Sequence, residues 1–186
     1  MSNNQNNTTL LVMDMQTAMV NLASDPATLL SRTAQAIASA RRKKIPVIYV
    51  VLGFRQGAPE ISANNKNFMA NKQFFTSASP TEFMTIHPDL APHDNEYVII
   101  KRRVSAFTGS DLEVVLRTLN MQHLVLTGIS TSGVVLSTLR EAADKDYRIT
   151  VLSDACADRE EEVHQFLTTR IFPRQAEVIT VENWIG

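Results

Sequence analysis

The stretch His123-Leu124-Val125-Leu126-Thr127-Gly128-Ile129-Ser130-Thr131-Ser132-Gly133-Val134-Val135-Leu136 decides the reading of this chain. His123 to Thr127 is a short apolar run of the kind a buried strand needs, and Gly128 breaks it. From Val135 onward the period changes. Val135, Leu136, Leu139, Ala142 and Ala143 fall at the spacing of a helix that shows one apolar stripe to a core. A strand that feeds a helix through a glycine-containing turn is half of a β/α unit.

Such units recur on both sides. Upstream, Ser110-Asp111-Leu112-Glu113 reads as a capping box before a helix, and Tyr97 to Ile100 reads as a strand closed by Lys101-Arg102-Arg103. Further back, Pro46 to Leu52 is apolar throughout, as a parallel strand covered on both faces must be. Before it, Ser24-Asp25-Pro26 caps a helix bearing Leu29, Leu30, Thr33, Ile37 and Ala40, which ends in the basic residues 41–44. The first strand is Thr9 to Met13, stopped by Asp14. Downstream, Arg148 to Leu152 and Glu177 to Val181 are strands, with a helix over 160–171 opened by Asp158 between them. Residues 53–95 form the long irregular part, with one short helix expected at Ser79-Pro80-Thr81-Glu82. The expectation is an α/β fold: three αβα layers around a mostly parallel, six-stranded, doubly wound, Rossmann-like sheet. We read one domain over 1–186, with residues 1–8 as a solvated arm.

Composition narrows the function. The 186 residues are 44% hydrophobic and 20% charged, and 18 basic residues against 19 acidic ones leave a net charge of −1. No global field favours nucleic acid or anionic lipid, so neither is an expected partner. The longest apolar stretch, Val47 to Phe54, is too short to cross a bilayer, which takes about 20 residues. The N-terminal residues lack the basic and apolar regions of a secretion signal, and a cytoplasmic location is expected. The one cysteine, Cys156, can form neither an intramolecular disulfide nor a thiolate metal cluster.

In doubly wound sheets, ligands sit beyond the carboxyl ends of the strands. Three strands end suggestively there: the first in Asp14, the third in Lys101, the fourth in the Gly128–Gly133 turn before a helix. A carboxylate, an ammonium and a helix N-terminus on one rim can place a proton donor or acceptor beside an oxyanion site. Other motifs fail. There is no G-x-G-x-x-G, and Gly133 is followed by Val134-Val135 where a P-loop needs Lys-Ser/Thr. There is no G-x-S-x-G elbow, and Gln16 stands where a D-x-D element would repeat its Asp. The histidines at 87, 93, 123 and 164 have no metal-ligand spacing. No cofactor is expected.

Leu11-Val12-Met13-Asp14-Met15-Gln16, Lys101-Arg102-Arg103-Val104-Ser105-Ala106-Phe107, Thr127-Gly128-Ile129-Ser130-Thr131 and Ser153-Asp154-Ala155-Cys156 resemble, in order and spacing, the isochorismatase-like hydrolases. The resemblance runs from Thr9 to about Trp184. In cysteine-dependent members a strand-end Asp accepts the thiol proton, a Lys stabilises the site, and a Cys six residues after the motif glycine attacks the carbonyl. Asp14 and Lys101 match the first two roles. Six residues after Gly128 stands Val134, so the nucleophile is missing. Cys156 belongs to a different segment and reads as a buried, inert thiol. Ser132 lies two positions before Val134 and faces elsewhere, so that Ser132 or Thr131 is better read as a helix cap.

The resemblance further implies a cis Ile129–Ser130 peptide, with the N–H groups of Ser130 and Val134 forming an oxyanion hole. Thr131, Gln16, Arg55 and Phe107 complete the expected substrate-binding set, with Arg55 meeting an anionic group. Phe54, Phe68, Phe74 and Phe75 are candidate apolar walls. Gly53 to Ala58 lacks the Asp-x-His of the metal-dependent nicotinamidases, so no metal is expected. The partners expected are a small-molecule substrate and further copies of the chain, as a homodimer or higher homo-oligomer. The reading that follows is a hydrolase with Asp14 as general acid or base and no thiol. The alternative is a catalytically silent relative that binds a small ligand or a partner.

Overall fold

The computed structural model describes residues 7–186. Six strands form one sheet: β1 (Thr8–Met13), β2 (Val47–Leu52), β3 (Tyr97–Lys101), β4 (His123–Ile129), β5 (Arg148–Ala157) and β6 (Glu177–Ile179). The order is β3-β2-β1-β4-β5-β6, and every neighbouring pair is parallel. The order reverses between β1 and β4, which makes their carboxyl ends the switch point where a ligand crevice opens.

The helices are α1 (Thr17–Val20), α2 (Pro26–Arg42), α3 (Lys66–Ala70), α4 (Lys72–Phe75), α5 (Pro80–Phe83), α6 (Leu112–Thr118), α7 (Leu136–Asp144), α8 (Glu161–Phe166) and α9 (Val181–Ile185). Alternation along β1 explains the layering. Leu11 and Met13 point to one face, where Leu112 and Leu116 of α6 and Leu139 and Ala142 of α7 cover them. Leu10 and Val12 point to the other, under Leu29, Ala36, Ile37 and Ala40 of α2 and Val181 of α9. A third cluster of Leu52, Phe54, Ala58, Ile61, Phe68 and Phe83 packs the 53–95 segment onto the strand ends.

Local signals hold at two helix starts. The Asp25 side chain accepts from Thr28 N–H with Pro26 at the first helical position, and Ser79 accepts from Glu82 N–H. Elsewhere the structure corrects the sequence reading. Thr8 lies buried in β1, so the arm does not extend to it, and residues 1–6 fall outside the described residues. The 110–113 capping box does not form. Ser110 Oγ donates to Ala106 O instead, and Glu113 turns outward to Arg117 and Lys145. β5 runs five residues past Leu152 because its ladder with β4 resumes after a bulge, pairing Gly128 with Cys156. β6 stops at Ile179, and Thr180 caps α9 where a strand was expected to continue. The helix expected over 160–171 is capped at Glu160, not Asp158, and passes into a wider π-turn over Leu167–Ile171. Three short helices occupy the 53–95 segment, not one.

Candidate active site

Asp14 is the residue after β1. Its N–H donates to Val50 O at 2.8 Å, and its backbone has φ 55°, a left-handed conformation that aspartate tolerates better than most residues. This turns the side chain off the sheet axis at the switch point. Lys101 ends β3, two strands away, paired in register with Leu52 of the intervening β2. Its side chain crosses the end of β2, and Nζ lies 2.9 Å from Asp14 Oδ2 and donates to Arg103 O at 3.0 Å.

Both side chains are almost wholly buried, at 2% exposure for Lys101 and 7% for Asp14. Asp14 Oδ1 has no hydrogen-bond partner among the described residues. Burial pushes the Asp14 carboxyl above its ordinary value, and the Lys101 charge and hydrogen bond oppose that rise without cancelling it. The attraction, about 4 kcal/mol at 4 Å and an effective dielectric constant near 20, therefore loses to desolvation.

The third wall is the turn after β4. A Cβ on Gly128 would sit 2.6 Å from Met13 O, so only glycine lets β4 lie this close to the end of β1. The Ile129–Ser130 peptide is cis. Ser130 O then accepts from Gly133 and Val135 N–H as a π-turn over Thr131–Val135 begins. Ser132 N–H donates to Asp158 Oδ2 at 2.7 Å, which ties the turn to the end of β5. The N–H groups of Ser130 and Val134 find no acceptor among the described residues.

These pieces surround a cavity of about 260 Å³. Asp14, Lys101, Ser130 and Val134 lie on it, and Met19, Leu22, Phe68, Phe74, Phe75 and Val104 supply apolar wall. Asn67, Asn71, Asp158 and Arg159 bring polar groups to it. Of the aromatic walls read from sequence, Phe68, Phe74 and Phe75 reach the cavity, while Phe54 packs against Phe68 and Phe75 without lining it.

Four expected substrate contacts lie elsewhere. Gln16 is fully buried, and its amide binds Leu52 N–H, Leu52 O and Phe83 O, which leaves nothing for a ligand. Arg55 pairs with Glu60 at 2.9 Å on the surface. Phe107 belongs to the α6–α7 core, with Tyr147 against its ring. Thr131 is buried with its hydroxyl on His164 Nδ1 at 2.9 Å. Neither Thr131 nor Ser132 caps the helix by its side chain, since Ser130 holds the cap position and Ser132 uses its backbone.

Cys156 is buried beside Leu126 O, its thiol pushed up to about 12 by burial, and it lines a separate depression of about 580 Å³. That depression is larger but lacks the Asp14–Lys101 pair. His87 accepts from Asp89 N–H, and neither His87 nor His93 lines the small cavity. Among the described residues no three His, Cys, Asp or Glu side chains converge as a metal site.

Asp158 and Arg159 escaped the sequence reading because β5 looked five residues shorter. With the strand drawn to Ala157, the rule that chemistry gathers beyond strand ends would have found both. Arg159 is exposed and makes no ion pair among the described residues.

Residues 8–183 match the Isochorismatase domain family. The chain is 33% identical to the uncharacterized isochorismatase family protein YecD of Escherichia coli O157:H7, over 97% of this chain and 95% of that one. It is 27% identical to the ureidoacrylate amidohydrolase RutB of Pseudomonas syringae pv. syringae, over 96% of this chain and 78% of that one. Among solved structures, an isochorismatase family protein from Burkholderia thailandensis superposes with a TM-score of 0.82 at 28% identity, covering 95% and 93% of the two chains.

Proposed function

The chain belongs to the isochorismatase family, and from that membership we propose that it hydrolyses a small molecule with Asp14 as general acid and base and with water in place of a thiol nucleophile. The observation that carries this reading is the buried Asp14–Lys101 pair, with Asp14 Oδ1 unpartnered on a cavity shared with the Ser130 and Val134 amides. The raised Asp14 carboxyl favours the acid form that a proton donor needs.

Water attacks the acyl carbon, and the oxygen that gains charge is received by the N–H groups of Ser130 and Val134. Asp14 gives its proton to the leaving nitrogen or oxygen and takes one back from the attacking water, so the cycle closes without a covalent intermediate. Lys101 holds the transient Asp14 carboxylate. The apolar wall of Phe68, Phe74 and Phe75 suits a small hydrophobic group, and Arg159 offers its unpaired guanidinium to a substrate anion.

The test is a panel of small amides, esters and carbamates together with isochorismate, whose vinyl ether the same acid would protonate. Turnover is expected to fall about 10²–10⁴-fold in Asp14→Ala. The rate should also decline as pH rises through the raised folded-state value of Asp14, because the proton donor is then lost. A substrate turned over equally well by Asp14→Ala would overturn the assignment. Val134 favours a second reading, since its side chain has neither proton nor lone pair to offer where the resemblance calls for a thiol. Saturable binding of a panel member without turnover would select that silent, ligand-binding relative.

A further inference from the structure

We infer that the free edge of β3 is a docking surface for a second copy of this chain, joined antiparallel about a two-fold axis through Ile99. β3 ends the sheet and pairs only with β2. Gly53 N–H donates to Lys101 O, so Tyr97, Ile99 and Lys101 turn their backbone groups toward β2. By alternation, Val98 and Ile100 turn theirs outward, and no hydrogen bond from the described residues reaches them. The side chains of these same residues are exposed, Val98 at 45% and Ile100 at 37%, with Tyr97 beside them at 43%. Soluble proteins blunt such an edge with charges, proline or a bulge, and β3 carries none of these on Tyr97–Ile100.

The occupant follows from self-complementarity. With the axis at Ile99, Val98 of one copy faces Ile100 of the other, twice. Both residues present outward N–H and C=O groups, so each pairing is of the hydrogen-bonded kind and the seam gains about four inter-chain bonds. The same register carries the acidic end of the strand to the basic end of its partner. Glu96 faces the partner's Arg102, and Asp94, exposed and without an ion pair among the described residues, approaches the partner's Arg103. A strand of unrelated sequence would have to supply both matches independently. A second copy supplies them by symmetry.

The experiment measures mass by analytical ultracentrifugation for the full chain across a dilution series, with Val98→Pro and Ile100→Glu in parallel. Proline at 98 removes an outward donor and spares the β2 ladder, so folding is retained. The wild type should be a dimer, and both variants should fall about twofold in mass while keeping the wild-type circular dichroism. For register, V98C and I100C proteins are mixed and oxidised. Hydrogen-bonded partners lie about 5.5 Å apart, within disulfide reach, so the mixture should crosslink and neither protein alone should. A monomeric wild type overturns the inference. So does a dimer that survives both edge variants, which would point to another exposed apolar residue such as Phe166. Crosslinking within either single-cysteine protein alone also overturns it, since the axis would then miss Ile99.

Discussion

Asp14 meets two opposed demands. It must be buried to be raised, and it must be paired to be tolerated. Its folded-state carboxyl lies above the model value of 3.8, so the folded chain holds the extra proton. The contribution of this one group to stability therefore declines as pH rises from the unfolded value through the folded one. Lys101 limits that decline, which gives a residue-scale prediction for Lys101→Met. At neutral pH the variant leaves a buried, unpaired carboxylate, and it should lose about 3–5 kcal/mol. In acid, Asp14 takes up a proton and the loss should shrink, because a neutral carboxyl no longer needs the ammonium. Urea unfolding at acid and neutral pH separates the cases. An equal loss at both would mean that Lys101 acts by packing its stem and not by its charge.

Among the elements, the β1–β4 pair does most to build the site, and its geometry rests on one glycine. The chain can move β1 away from β4 only by breaking a six-residue register that runs from Thr8 with His123 to Met13 with Gly128. Gly128→Ala forces a Cβ to within 2.6 Å of Met13 O, which is backbone and cannot swing aside. We expect a loss of more than about 1 kcal/mol, the strain of placing a side chain where only glycine fits, read as a lower thermal midpoint. A fully stable G128A would mean that β4 shifts freely there.

The strands themselves were legible, because Leu10-Leu11-Val12 and Val47 to Leu52 have no other way to hide their side chains. Asp14, Lys101 and the Gly128 turn were legible as well, since each interrupts a strand with a residue that the strand did not need. The wall and rim were less so. A phenylalanine has the same chemistry in a core as in a cavity, so nothing local separates Phe107, under α6 and α7, from Phe68, on the cavity. Strand length failed where polarity misled: Ser153-Asp154 looks like a stop, but the ladder resumes beyond them and carries Asp158 to the site. A charge on a loop is equally silent about its partner, which is why Arg55 was read as an anion receiver before Glu60 was seen to take it.

At the scale of the whole molecule, the sheet with its two helical layers is one body, and the 53–95 segment is a cap that must be fastened to it. The cap supplies Phe68, Phe74 and Phe75 to the cavity, so its seating sets the cavity's shape. Its own aromatic cluster holds it together but does not fix it to the strand ends. Gln16 does that. Standing just past β1, its side chain accepts from Leu52 N–H at 2.8 Å and donates to Leu52 O and Phe83 O, joining the end of β2 to α5. Its backbone adds an antiparallel bridge to Ile86.

Gln16→Ala should therefore act far from where it is made. It strands buried backbone groups at Leu52 and Phe83, each costing about 1–3 kcal/mol when left unpaired. The cap should loosen before the sheet does, because α3, α4 and α5 are single turns with little packing of their own. Limited proteolysis is expected to cut first within 53–95 in this variant, and amides of α5 should exchange faster than those of β1 and β4. If the whole chain instead lost protection uniformly, the cap and the sheet would be one cooperative unit, and the cavity could not change shape without global unfolding.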